Sequence, residues 1–108
     1  MPRDTSPTQL FEELCEEYAG QPGVTLPGEG KGFGSSGLKI NNSIFAMLVG
    51  DRLVVKLPRD RVSELITTGE GEPFDAGKGR PMKEWVGLLG DPATCRELVA
   101  EAFAFVRR

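Results

Sequence analysis

An α+β domain is the fold class this sequence predicts, on three observations. Apolar residues recur at helical spacing near both ends of the chain. In the middle they run through short segments, alternating in at least one of them. Asn, Gly and Pro mark the joints between segments. With 108 residues there is room for one core and not for two, so residues 1–108 read as a single domain with residues 1–6 as a flexible lead-in.

The first helix opens at Ser6, a capping residue, with Pro7 in the first turn and Gln9 three residues after the cap. Leu10, Phe11, Leu14, Cys15 and Tyr18 then form one stripe, and Glu12, Glu13, Glu16 and Glu17 read as a solvated side. Gly20, Pro22 and Gly23 end the helix. Three strands follow. GLKI reaches Asn41-Asn42, a two-residue hairpin turn because Asn tolerates positive φ. SIFAMLV reaches Gly50-Asp51, a second tight turn, and RLVVKL follows with Leu53, Val55 and Leu57 on one face. In SIFAMLV strict alternation puts Ile44, Ala46 and Leu48 on one face and Phe45, Met47 and Val49 on the other, so the strand is apolar on both. One layer of helices covers one face, and a second subunit is the expected cover for the other.

Pro58 stops the sheet. PRDRVSELITTG reads as a helix with Val62, Leu65 and Ile66 inward and Gly69 at its end. EPFDAGKGRPM is a weak strand and a turn, KEWVGLL a further strand, and Asp91-Pro92 opens a last helix striped by Leu98, Val99, Ala102, Phe103 and Val106. The order is α-β(3)-α-β(2)-α, an antiparallel sheet with helices on one face.

Composition narrows the function. Thirteen basic and sixteen acidic side chains leave a net charge of −3, which disfavours a generic nucleic-acid binder. The chain has no histidine, and so lacks the usual neutral-pH base and metal ligand. Cys15 and Cys95 have no C-x-x-C spacing and read as buried, reduced thiols. No secretory leader or membrane-length apolar run occurs, so a cytoplasmic, membrane-free protein is expected.

Two glycine-rich stretches imitate nucleotide motifs. Gly32-Phe33-Gly34-Ser35-Ser36-Gly37 fits G-x-G-x-x-G, but a dinucleotide loop must open a helix, and LKINNSIFAMLV is strand and hairpin. Phe33, Gly34 and Gly37 therefore read as a structural turn. In GEPFDAGKG, five residues instead of four separate Gly71 from Gly77, and Gly79 replaces the magnesium-binding hydroxyl. Ser35, Ser36 and Ser43 have no histidine to activate them, and Asp51, Glu64, Glu70, Glu72 and Glu84 are scattered. Trp85 reads as core or interface. No catalytic residue, cofactor or metal is expected. The basic concentration is Arg52, Lys56, Arg59 and Arg61, with Lys78, Arg80 and Lys83 further on and Lys39 joining across the hairpin. These residues are the candidate contacts for an acidic partner or a nucleic-acid backbone, although charged strand residues also guard against aggregation.

GFGSSGL, then SIFAMLVGDRLVVKL, then GEPFDAGKGRPMKEWVGL resemble the N-terminal domain of TfoX/Sxy proteins. Phe33, Gly34, Gly37, Leu38, Phe45, Asp51, Leu53, Lys56, Pro73, Phe74 and Met82 stand where that pattern asks, and Gly32 stands where the family has methionine. The resemblance covers residues 8–107 and implies a secretion-chaperone-like fold, itself often dimeric. Full-length relatives carry a further helical domain and promote competence genes beside a cyclic-AMP-responsive transcription factor. The expectation is a non-enzymatic interaction domain with an unknown protein partner, in the transcription machinery or elsewhere, and a homodimer. Direct nucleic-acid binding is the second reading, and ligand binding at the glycine loop the third.

Overall fold

The computed structural model describes residues 6–26, 37–49, 52–74 and 83–107. Helix α1 spans Pro7–Tyr18, and the Ser6 hydroxyl accepts the Gln9 N–H at 3.1 Å, as the capping pattern anticipates. Leu10, Phe11 and Leu14 are buried, with Cys15 and Tyr18 packed half-buried beside them.

Next comes a strand that the sequence pattern missed. β1, Val24–Thr25, pairs Val24 with Ile40 and Thr25 with Lys39. Two residues carry no periodicity; β1 is held by its neighbour, helped by the Asn41 N–H, which donates to the Gly23 carbonyl at 3.0 Å. β2 (Gly37–Ile40) and β3 (Ser43–Val49) form the anticipated hairpin, with Asn41 at φ 53° and Asn42 at φ 70°. The Gly50-Asp51 turn lies outside the described residues. β4 (Arg52–Lys56) pairs with β3, and β6 (Trp85–Leu88) pairs with β4. β5 (Gly71–Pro73) lies outside β6. The sheet order is β1-β2-β3-β4-β6-β5, antiparallel throughout, so the expected five strands gain one at the edge.

β3 departs from strict alternation. Leu38 pairs with Ala46 but Lys39 with Ile44, which leaves Phe45 as the extra residue of a bulge. The bulge turns Phe45 and Ala46 both into the helix-side core, where Leu48 also packs. Phe45 was expected on the opposite face and Ile44 on this one; the bulge exchanges them. Ile44, Met47 and Val49 share the second face, so β3 is still apolar on both sides.

α2 (Arg59–Thr68) ends at Gly69, whose φ of 86° suits glycine and whose N–H donates to the Ile66 carbonyl. Val62 and Leu65 point inward as expected, but Ile66 is 36% exposed. A ten-residue helix has a narrow buried stripe, and Ile66 falls beside it. α3 (Pro92–Arg107) is capped by Asp91, whose Oδ1 accepts the Thr94 N–H at 2.8 Å. Residues of α1, α2, α3 and one sheet face form a single core, and Phe45 sits within it 5.5 Å from the Tyr18 ring and 5.1 Å from Phe103. Cys95 is buried there, whereas Cys15, expected buried, is half-exposed at its margin; both thiols are free. No described helix is long and apolar enough to cross a membrane.

Candidate functional site

Alternation along the paired strands puts Lys39, Ile44, Met47, Val49, Arg52, Val54, Lys56, Glu72, Trp85 and Gly87 on the sheet face away from the helices. No described helix packs on that face. Val54 is fully buried on it, outside the main core. Ile44, Met47 and Trp85 are half-exposed there. Val49 is 43% exposed, as is the neighbouring Leu89 at 44% just past the end of β6.

Two charge arrangements frame this surface. Arg52 Nε lies 2.7 Å from Glu72 Oε2, and its Nη1 donates to the Leu88 carbonyl at 3.4 Å. The pair spans from β4 to β5 across Gly87 of β6. A Cβ there would lie 3.1 Å from both the Arg52 and Glu72 Cγ atoms, so the missing side chain is what lets the bridge pass. Farther along β4, the Lys56 ammonium stands 5.8 Å from the Trp85 ring centroid, a cation–π contact.

The five anticipated basic contacts therefore divide. Lys39, Arg52 and Lys56 share the helix-free face, with Arg52 tied to Glu72. Arg59 opens α2 and borders a shallow groove of about 500 Å³, together with Ile66, Pro73 and Lys83. Arg61 belongs to the helix layer. Its Nε and Nη2 reach the two Glu101 carboxylate oxygens at 2.9 and 3.0 Å, and Nη1 reaches Glu64 at 2.7 Å. Those contacts, Glu101 first, hold its guanidinium more firmly protonated than usual and make it a clasp between α2 and α3. Arg96 does the same between α3 and α1, bridging Glu13 at 2.5 Å and Glu17, so part of the acidic side of α1 is an inter-helix contact.

Of the anticipated structural turn, Gly37 opens β2 opposite Met47, and an added Cβ would meet Ile44 at 3.0 Å. Phe33 and Gly34 lie outside the described residues, as do Gly77, Lys78, Gly79 and Arg80, whereas Gly71 opens β5. Glu72, Trp85 and Gly87 were not anticipated as a unit. Their link is a strand register across β4, β6 and β5, and a three-residue strand carries no readable register.

Burial, then Glu12 and Glu16, raises the Cys15 thiol pKa, and burial followed by Asp91 raises that of Cys95. Both therefore favour the protonated, poorly nucleophilic form. No group of three or more His, Cys, Asp and Glu side chains able to hold a metal occurs among the described residues. Comparison with family models, curated proteins and solved structures finds no match to this chain.

Proposed function

We propose that this chain is a non-enzymatic protein-interaction domain, resembling the N-terminal domain of TfoX/Sxy proteins and acting in the cytoplasm in transcriptional or competence regulation. The observation that carries the reading is the sheet face on which no described helix packs, where Val49 is more than two-fifths exposed beside half-exposed Met47, Ile44 and Trp85, with exposed Leu89 just past the end of β6. Exposed apolar side chains grouped with a tryptophan are the composition of a protein-binding patch.

Nucleic-acid binding is the second reading, favoured by Lys39 and Lys56 on one face. With Arg52 held by Glu72, two cations remain among the described residues of that face to meet phosphates. That corresponds to a salt slope of roughly −2, shallow beside the slopes of proteins whose affinity rests on phosphate contacts. Affinity capture from native lysate, with and without nuclease, separates the readings. A protein partner retained after nuclease supports the first, and partners that disappear with nuclease overturn it in favour of the second. Turnover by the purified chain that one polar substitution abolishes overturns the first reading.

A further inference from the structure

Resting on that interaction reading, we infer that the helix-free sheet face docks an acidic amphipathic helix of a partner protein. The argument is charge complementarity around an apolar centre. Among the described residues this face carries three cations, Lys39, Arg52 and Lys56, and one anion, Glu72. Arg52 and Glu72 compensate each other, which leaves two positive charges on one face of a chain whose net charge is −3. A second copy docking face to face would oppose the two positive charges with two more. A partner bearing carboxylates meets them favourably.

The register sets the spacing. Lys39 lies opposite Ile44, and Lys56 lies on β4 one position beyond the Ala46–Val55 pair, so the two lysines flank β3. They stand two strand spacings apart, about 10 Å, with Ile44 and Met47 between and Val49 farther along. In a helix, residues i and i+7 are separated by roughly 10.5 Å. A helix laid across the strands thus offers one carboxylate to each lysine at i and i+7, and seats apolar residues i+3 and i+4 on the β3 stripe.

The test uses two synthetic alanine-based helical peptides. One carries Glu at i and i+7 around Leu at i+3 and i+4, and the other carries Lys in place of Glu. Both are fluorescently labelled and titrated with the full chain, with Trp85 emission as a second readout because it is the sole tryptophan. The parent should bind the acidic peptide and not the basic one. Lys39→Glu with Lys56→Glu should weaken that binding about tenfold, from the loss of two charge pairs, and should gain the basic peptide. Val49→Asp should weaken binding of the acidic peptide. Matched thermal unfolding of parent and variants establishes that fold loss is not the cause. Failure of the parent to bind the acidic peptide, equal binding of both peptides, or indifference to the lysine reversals overturns the inference. So does a parent dimer that Met47→Asp dissociates, which assigns the face to a second copy, or displacement of the peptide by an oligonucleotide. The interaction reading has its own control. A nuclease-resistant protein partner that is still captured by the double lysine variant leaves that reading standing and removes only the acidic-helix assignment.

Discussion

The absence of a side chain at residue 87 is as consequential as any side chain on the sheet. Arg52 and Glu72 meet above Gly87 because their stems occupy the space a Cβ would need. Gly87→Val is expected to push them apart and cost about 1–3 kcal/mol, read as a lower urea midpoint at unchanged slope. A double-mutant cycle on Arg52 and Glu72 isolates the ion pair itself. Both side chains are 42% exposed, so the coupling is expected at roughly 0.2–1 kcal/mol, falling as salt is added. Phe45 is the opposite case: fully buried, in a three-ring cluster with Tyr18 and Phe103. Phe45→Ala is expected to cost about 3–5 kcal/mol, a large share of the total stability of a domain this size, and circular dichroism during denaturant unfolding measures it.

Among the elements, those announced by chemistry near in sequence were legible. Ser6 and Asp91 each cap the helix they precede, Gly69 ends α2, and two asparagines at positive φ make the β2–β3 turn. Each signal acts over a few residues, so the order of elements followed from them. The features that were not legible depend on pairing at a distance. β1 exists because β2 is beside it, and the β3 bulge reflects how one long strand fits two neighbours of different register. The candidate face was half legible. Its lysines and apolar β3 residues stood out, but the Glu72 partner and the Arg61 clasp required knowing which strands and helices touch.

The Asp91 cap also sets a pH dependence. The Thr94 backbone N–H, followed by its hydroxyl, holds the Asp91 carboxyl below its ordinary value of 3.8. A carboxyl whose pKa is depressed by folding binds fewer protons folded than unfolded in this range. Its contribution is therefore full above the unfolded pKa and is lost as pH falls through the lower, folded value. The stability gap between parent and Asp91→Asn is expected to be constant from neutral pH down to about 5 and to narrow toward pH 2. Urea midpoints at a series of pH values measure it.

For the whole molecule, the division of labour follows from one helix layer on a six-stranded sheet. Inter-helix clasps at Arg61 and Arg96 consume acidic side chains on one side, while among the described residues Lys39 and Lys56 meet no carboxylate on the other. The described residues of that face thus carry a positive balance in an acidic chain. Its association with a carboxylate-bearing partner is expected to slow as ionic strength rises, with smaller changes in dissociation. Stopped-flow kinetics with the acidic peptide at low and physiological salt checks this, and a salt-insensitive association rate would contradict it.

The two outermost strands have a further consequence for how this protein meets its own kind at high concentration. β1 has two residues and β5 has three. The Leu89 N–H donates to the Glu70 carbonyl at 2.9 Å, so by alternation Glu72 also turns toward β6 while Gly71 and Pro73 face outward. Proline has no N–H, which leaves that edge a single backbone donor at Gly71. A strand from another molecule would find little to zip against along the described residues of β5. Short edges of this kind give a cross-β stack little to template on.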